Sequence, residues 1–287
     1  MNIKFLTSDY LIAWNILFTK SLTDNFKKSK EKLWNAYRDE YNNIYYEKDL
    51  ILKDHKNYIP NNDTVYNAIM EKDEFKTIRK EAEKERFNTM KIWDKNNKKI
   101  NSLFNNIIRK KFPEYQAFII NKEFNILDII KTSNKESACI LGKKYKDDNE
   151  FLVNFINEIV KKEITIKEKS SPEIKDVILE LAIINEFATT LDNKSHYKNG
   201  DKRLQYLKIQ IYPYWLMFLG IKKEDMVSYM ERDGIKFDEN KIAYEKELIK
   251  MNIEEFIDFI IRNKKYIIRI NKLSWKNNTW RWGSDEW

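Results

Sequence analysis

Residues 73–111 read DEFKTIRKEAEKERFNTMKIWDKNNKKINSLFNNIIRKK, a stretch without glycine or proline. Its apolar residues recur at the three- and four-residue spacing of an amphipathic helix, beginning at Phe75 and Ile78 and ending at Phe104 and Ile107. Pro113 then removes a backbone donor and disfavours helix at the residue before it. The stretch therefore predicts one long helix over residues 73–111.

A second stripe of the same spacing precedes it. Over residues 8–52, Leu11, Trp14 and Phe18 begin the stripe and Leu33 belongs to its continuation, again without glycine or proline. Residues 55–63 contain a Pro-Asn-Asn-Asp turn. Two long helices joined by a short linker predict an antiparallel helical hairpin.

The remaining segments predict a small sheet and a helical bundle. The short apolar runs at 117–120, 124–130 and 138–141 are β-prone and predict a small antiparallel sheet. Helical spacing returns at 149–162 and, after Pro172, continues through most of the chain. We therefore expect a mainly α fold, with α+β as the alternative. The expected domains are a basic helical hairpin, a small β-containing segment with one helix, and a helical domain with a Trp-rich tail, at residues 1–112, 113–170 and 171–287.

Composition excludes several classes of protein. The single cysteine, Cys139, excludes an intramolecular disulfide framework and a thiolate zinc site, and two histidines leave little imidazole for a metal. We expect no metal and no cofactor. No run of about 18 apolar residues is present, and the N-terminus lacks the pattern of a secretory signal. The expected location is cytoplasmic, with no membrane partner.

The positive charge is uneven along the chain. Residues 1–112 carry 23 Lys and Arg against 16 Asp and Glu, a net charge of +7, whereas residues 113–287 carry 30 against 29, a net charge of +1. Lysines neutralise phosphates and aromatic faces stack on bases, so this hairpin predicts binding to nucleic acid or to a ribonucleoprotein complex. The predicted contact residues are Lys27, Lys28, Lys30, Lys32, Trp34, Tyr37, Lys95, Lys98, Lys99, Arg109, Lys110 and Lys111. A solvated hairpin, with Lys and Glu paired at i,i+4, is the structural alternative.

Two further features support other hypotheses. A polar cluster contains Glu186, His196, Asp201 and Lys202, residue types that perform acid–base chemistry in a hydrolase or nuclease but also occur in ordinary capped turns. The C-terminal tail is unusually rich in tryptophan, which predicts either folding back onto the domain or anchoring to a partner, as in a structural adaptor. Its tryptophans are Trp275, Trp280, Trp282 and Trp287.

No motif points to a known family or to one reaction. A Walker A sequence, a G-x-G-x-x-G turn and an H-E-x-x-H helix are all absent from the sequence. The leading hypothesis is a non-enzymatic intracellular protein that binds nucleic acid or a nucleic-acid-handling complex. One version is a small inhibitor of such a complex, of the kind that a mobile element encodes.

Overall fold

The chain folds mainly into helices around one four-stranded sheet, which confirms the predicted fold class. The computed structural model describes residues 1–18, 24–61, 63–132, 136–167, 171–235 and 245–268. Two compact units divide the chain: unit 1 contains residues 1–97 and 112–155, and unit 2 contains residues 98–111 and 156–287. The three-segment organisation based on composition stays a prediction. No helix in these described ranges is both long enough and apolar enough to cross a membrane.

Unit 1 contains the sheet. Its strands are β1 (Ile3–Leu6), β2 (Glu114–Ile119), β3 (Ile126–Lys131) and β4 (Glu136–Gly142). The helices before β2 are α1 (Asp9–Phe18), α2 (Asp24–Ala36), α3 (Arg38–Tyr45), α4 (Lys48–Lys53), α5 (Asp63–Met70) and α6 (Asp73–Ser102), and α7 (Asp148–Glu163) follows β4.

The sheet is mixed, so the prediction of an antiparallel sheet is wrong. Its strand order is β1-β2-β4-β3, with β1 parallel to β2, β2 parallel to β4, and only β3 antiparallel to β4. The prediction missed β1 because four residues are too few to show a strand pattern and its partner lies far along the chain. A parallel pair requires a long crossover connection, and helices α1 to α6 provide the one between β1 and β2.

Both faces of this sheet are buried. Successive side chains of a strand point to opposite faces, so Phe118 and Ile140 lie on one face and Ile119 and Leu141 on the other. The first face packs in one apolar cluster with α1. On the second face, the ring of Phe5 contacts Trp93 of α6, with ring centroids 5.9 Å apart. Helices on both faces of parallel strands are the arrangement typical of α/β folds.

The prediction of one helix over residues 8–52 is wrong, because the described part of this range forms α1, α2, α3 and α4. Tyr37, between α2 and α3, has non-helical torsion angles. Glu47, between α3 and α4, is buried, and its carboxylate accepts hydrogen bonds from the hydroxyls of Tyr58 and Tyr66. The predicted hairpin therefore lacks a continuous first arm, because packing of the apolar stripe against the rest of unit 1 overrides the continuity of the helix.

The second long helix is confirmed. It begins at Asp73 as α6 and continues from Ser102 as a π-helix over Leu103–Ile108. Arg109, with φ of 54°, ends it in the left-handed conformation, and its backbone N–H donates to the carbonyl of Phe104. The end of the helix thus comes before Pro113, where the sequence also predicts a stop.

Unit 2 is helical in its described residues. It contains α8 (Pro172–Leu179), a second π-helix (Glu180–Phe187), α9 (Ala188–Asp192), α10 (Gln205–Phe218), α11 (Lys223–Arg232), α12 (Ile253–Arg262) and α13 (Lys264–Ile267). Pro172 occupies the first turn of α8, as expected. Stacked rings form part of the core: Trp215 and Phe218 lie 5.2 Å apart between centroids, and Phe218 and Phe256 lie 4.6 Å apart.

Truncation of an isoleucine in the sheet tests this core. Ile140 is fully buried in β4, whereas Ile59 of the same unit is 82% exposed. We expect Ile140→Ala to lower the free energy of unfolding by about 2–5 kcal/mol, because it removes buried methyl groups and leaves a cavity. The control Ile59→Ala changes it by no more than about 0.5 kcal/mol. Urea denaturation followed by circular dichroism measures both, and equal effects would contradict a two-sided sheet core.

Candidate nucleic-acid interface

Five aromatic rings form a continuous row on the helices of unit 1. Following the contacts, the row runs Trp34, Tyr41, Phe18, Tyr45 and Tyr46, and consecutive ring centroids lie 5.4, 5.1, 5.3 and 5.4 Å apart. These edge-to-face contacts are a favourable geometry for aromatic pairs. Trp34, Tyr45 and Tyr46 are 38, 54 and 77% exposed. We call these five rings the aromatic row; it offers ring surface to solvent at both ends.

Hydrogen bonds to backbone carbonyls fix the buried side of the aromatic row. The hydroxyl of Tyr41 donates to the carbonyl of Leu17 at 2.7 Å, and burial raises the pKa of Tyr41 to about 12. The indole of Trp14 donates to the carbonyls of Ile44 and Tyr45 at 3.1 and 3.3 Å. α1 and α3 are thus joined by side chains as well as by apolar packing, and the exposed rings rest on a fixed base.

The lysines predicted at residues 27–32 lie on α2 beside this row. Lys27, Lys28 and Lys32 are exposed, and Lys30 is half-buried with its pKa lowered by desolvation. Residues at i, i+3 and i+7 share one face of a helix, so Lys27 and Lys30 lie on the face that ends at Trp34. The structure therefore places two lysines of the first predicted group on the same helix face as the exposed ring of Trp34, while Lys28 and Lys32 lie on other faces of α2.

Tyr37 and Arg38 extend this surface. Tyr37 is 37% exposed between α2 and α3. The guanidinium carbon of Arg38 lies 5.4 Å from the ring centroid of Trp34, within the distance of a cation–π contact. The predicted contact residues do not include Arg38. Its spacing of four residues from Trp34 is visible in the sequence and could have indicated this contact.

The second predicted group of cations is divided between the two units. Lys95 is exposed on α6 in unit 1, whereas Lys98, Lys99 and Lys111 belong to unit 2. Lys98 and Lys111 are exposed, and Lys99 donates to the carbonyl of Leu191 at 3.0 Å. As binding residues, these positions stay a prediction.

Arg109 is occupied in the packing of unit 2. Its guanidinium donates to the carbonyls of Phe218, Ile249 and Met251 at 3.1, 2.6 and 2.9 Å. The guanidinium carbon also lies 4.5 Å from the ring centroid of Phe218. These contacts favour a structural role, since a side chain engaged by three carbonyls has few donors left for phosphate.

Lys110 is similarly engaged within unit 2. Its ammonium group forms an ion pair with Glu254 at 2.6 Å and donates to the carbonyl of Glu163 at 3.1 Å. Burial disfavours the charged form of Glu254, but the hydrogen bonds from Lys110 and Thr165 lower its pKa overall. Arg109 and Lys110 therefore have partners within the protein that a neutral residue would not satisfy.

The positive charge does not coincide with the unit that contains the aromatic row. By sequence, unit 1 carries 24 Lys and Arg against 23 Asp and Glu, a net charge of +1, and unit 2 carries 29 against 22, a net charge of +7. The basic excess of residues 1–112 therefore does not belong to a single structural unit, as a basic hairpin would require. The reason is that residues 98–111, which contain five cations and no carboxylate, belong to unit 2.

The four weak catalytic candidates share no hydrogen bond or ion pair within the described part of the chain. Glu186 accepts from the indole of Trp215 at 3.4 Å, and burial raises the pKa of Glu186. His196 contacts the carboxylate of Asp192 at 2.9 Å.

The other two candidates have local contacts. Asp201 caps the turn at Lys202–Leu204, and its hydrogen bonds with Arg203 lower its pKa to about 2. Lys202 is exposed. Their arrangement is that of a capped turn, and a shared acid–base site is not assembled from these four side chains.

A different polar cluster lies in the interior of unit 2. Asp233 is buried and accepts hydrogen bonds from Ser195, Tyr212 and Arg232. Lys208, which is fully buried, donates to the carbonyls of Tyr197 and Asn199 at 2.6 and 2.8 Å. Sequence reasoning missed these residues. The sequence does contain an indication that Lys208 is buried. Leu204, Lys208 and Tyr212 are spaced by four residues, which places the lysine on the apolar face of α10.

Glu180 completes this cluster at the start of the second π-helix. It is buried, and one of its carboxylate oxygens accepts the backbone N–H of Asp201 at 3.0 Å. Its other oxygen has no hydrogen-bond partner among the described residues. Burial raises the pKa of Glu180. Gly200, with φ of 112°, lies against this carboxylate so closely that a β-carbon would overlap it. π-helices often occur at functional sites, yet these contacts mainly fasten the 195–201 loop.

Two other expectations concern metal ions and the tail. Among the described residues, no group of three or more His, Cys, Asp and Glu side chains is placed to hold a metal ion.

The tryptophans of the C-terminal tail lie outside the described residues, so their role as an anchor stays a prediction. They are Trp275, Trp280, Trp282 and Trp287.

Alanine variants of Arg109 and Lys111, two cations of the same segment, distinguish a residue that stabilises the fold from one that only contributes surface charge. We expect Arg109→Ala to lower the free energy of unfolding by about 2–4 kcal/mol, because three carbonyls lose a charged donor. Lys111→Ala removes the same charge from an exposed position and changes it by no more than about 0.5 kcal/mol. Chemical denaturation compares the two variants, and an equal loss would show that Arg109 is no more structural than Lys111.

The buried lysine predicts a pH dependence of stability. Burial lowers the pKa of Lys208 to about 8, whereas a lysine in the unfolded chain titrates near ~10.4. Between these values the unfolded state binds more protons, so the free energy of unfolding rises with pH. Relative to Lys208→Met, which cannot titrate, we expect the wild type to gain about 1 kcal/mol between roughly pH 7 and roughly pH 9. Urea denaturation at both pH values measures this difference, and a constant or falling difference would contradict it.

No protein-family model, curated protein or solved structure matches this chain. Function is therefore inferred from the chemistry of the described side chains. The polar cluster of unit 2 is buried, whereas exposed rings of the aromatic row and exposed lysines of α2 are accessible to a large partner.

Proposed function

We propose that this protein binds single-stranded nucleic acid through the aromatic row and the lysines of α2. The observation that carries the proposal is the exposed ring of Trp34 on the same face of α2 as Lys27 and Lys30, with Tyr45 and Tyr46 exposed at the other end of the aromatic row. Exposed aromatics beside cations are the combination that sequence-tolerant single-strand binders use. Binding of this kind requires no catalytic group, in keeping with a non-enzymatic role.

Stacking is expected to contribute more than long-range electrostatics. Alanine substitution of an aromatic that stacks on a base costs about 1–3 kcal/mol. The rings of the row contact each other edge to face, so bases stack on the outward faces of the exposed rings rather than between them. Duplex DNA hides its base faces, and this surface therefore favours single strands.

The lysines supply a local, salt-sensitive contribution. Each phosphate that they neutralise on a single strand changes the slope of log affinity against log salt by about −0.7. The net charge of unit 1 is only +1, so the attraction is confined to the neighbourhood of α2. We expect a modest affinity that decreases with salt but is not abolished by it.

The biological form of this binding is also a proposal. A protein that occupies single strands, or the single-stranded part of a ribonucleoprotein, blocks access by the complex that handles them. An inhibitor encoded by a mobile element is one such role. The hydrolase alternative has no comparable support, because Glu186, His196 and Asp201 each have separate contacts.

Fluorescence anisotropy with labelled oligo(dT), oligo(U) and a duplex of equal length tests the proposal. We expect Lys27→Glu combined with Lys30→Glu, which reverses the two charges on the Trp34 face of α2, to weaken single-strand binding at least about tenfold at low salt and to reduce the salt slope. Tyr46→Ala is expected to weaken binding about fivefold or more with the salt slope unchanged.

Matched controls carry the same chemical changes elsewhere. Lys80→Glu with Lys84→Glu reverses two exposed charges on α6, and Tyr266→Ala removes a ring that is 83% exposed on α13. Circular dichroism checks that every variant is folded. Undetectable binding of the wild type at low salt, or equal effects of test and control variants, would refute the proposed function.

A further inference from the structure

A cavity of about 370 Å³ lies in unit 1 at the carboxyl ends of the parallel strands β2 and β4. Its volume is within the range of ~300–1,000 Å³ that is typical of small-molecule pockets. Ile119 and Leu141, paired at the ends of the two strands, form part of its lining. The residues after β4, from Gly142 to Asp148, form another part, and α6 contributes Thr89 and Ile92.

The topology of the sheet places this cavity where α/β proteins bind ligands. The chain leaves β1 for α1, which packs on the face that contains Phe118 and Ile140. It leaves β4 for α7, whose Phe151 lines the cavity on the opposite face with Ile119 and Leu141. In open sheets of α/β proteins, ligands bind outside the carboxyl ends of the strands, and the cavity lies at that end of the neighbouring parallel strands β2 and β4.

Three lysines of the lining are available to hold an anion. Lys122, Lys143 and Lys146 line the cavity, are exposed, and form no ion pair with any described residue. Lys144 differs, because it pairs with Glu123 at 2.6 Å. The ammonium group of Lys143 lies 5.7 Å from the ring centroid of Tyr145, which keeps it at the cavity wall. Three lysines without carboxylate partners can converge on one phosphate group.

The N-terminus of α7 does not supply this anion site. The side chain of Glu150 accepts the backbone N–H of Lys146, and Asp147 accepts the backbone N–H of Glu150 at 2.8 Å. These donors are therefore satisfied within the protein. Any phosphate in the cavity is held by lysine side chains.

The rest of the lining suits an aromatic base with polar edges. Ile92 and Tyr145 are partly exposed and supply apolar surface, and the buried Ile119, Leu141 and Phe151 lie behind them, with the rings of Tyr145 and Phe151 5.4 Å apart between centroids. Glu85, Asp147 and Asp148 also line the cavity and can accept hydrogen bonds from amino or hydroxyl groups. These carboxylates oppose a ligand with several phosphates, so one phosphate fits the charges better than three.

We propose that this cavity binds a nucleoside 5′-monophosphate, with the phosphate at Lys122, Lys143 and Lys146 and the base against the apolar wall. This site is separate from the aromatic row of α1 to α3 and makes use of different residues. Its existence does not depend on binding of nucleic acid strands.

Isothermal titration calorimetry of the full chain with AMP, GMP, CMP and UMP, each alone, tests the proposal. We expect at least one of them to bind, and Lys143→Ala combined with Lys146→Ala to weaken that binding at least about fivefold. Lys80→Ala with Lys84→Ala removes two exposed lysines of α6 outside the cavity and leaves the affinity unchanged. Lys27→Glu with Lys30→Glu, which impairs the proposed strand binding, leaves it unchanged as well.

The remaining outcomes overturn the proposal. They are the absence of binding by all four monophosphates up to about 5 mM, or a loss of less than about fivefold on removing the lysine pair. Inorganic phosphate that binds as tightly as the monophosphate would show a plain anion site, and adenosine that binds as tightly as AMP would show that the lysines do not contribute. Failure of the oligonucleotide experiment alone affects only the proposed function.

Discussion

The parallel pairing of β1 with β2 is the constraint on which the rest of unit 1 depends. Ile3 lies opposite Tyr115 and Leu6 opposite Phe118. The chain between β1 and β2 must therefore form a crossover that returns to the end of the sheet at which β1 begins. α1 consequently packs on the sheet in a common apolar cluster, and the helices that follow it join the same core. The helices between β1 and β2 are packed in this core and do not form a long free-standing hairpin. The aromatic row exists for the same reason, because α3 folds back onto α1 and its rings meet Phe18.

Local patterns in the sequence predict much of this fold, and the failures concern contacts between distant segments. The helical spacing of residues 73–111 and 149–162, and the proline at the start of α8, correspond to helices with nearly those bounds. Spacing alone does not reveal that α3 and α4 turn back, because a stripe of three- and four-residue spacing is equally compatible with one helix or several. The direction of a strand is likewise absent from its pattern, since parallel and antiparallel strands both alternate.

The candidate site shows the same division. The lysines of residues 27–32 were found by sequence because charge clusters on one helix are local. Arg109 and Lys110 look identical to them in sequence, yet they contact carbonyls and a carboxylate of unit 2. The difference is one of burial and hydrogen-bond partners, which depend on tertiary structure. Lys208 and Asp233 were missed for the complementary reason, since charged residues are ordinarily expected on the surface.

The contact between Gly200 and Glu180 has a consequence for how this chain can vary. The backbone at position 200 adopts a positive φ, and the space that a side chain would occupy is filled by the carboxylate of Glu180. Substitution of Gly200 is therefore restricted twice, by its φ and by the carboxylate, and shortening Glu180 removes only the second restriction. In homologous sequences, position 200 should stay glycine whichever residue occupies position 180. A glycine fixed in this way would align the loop that follows the second π-helix across relatives too divergent to be matched by their surfaces.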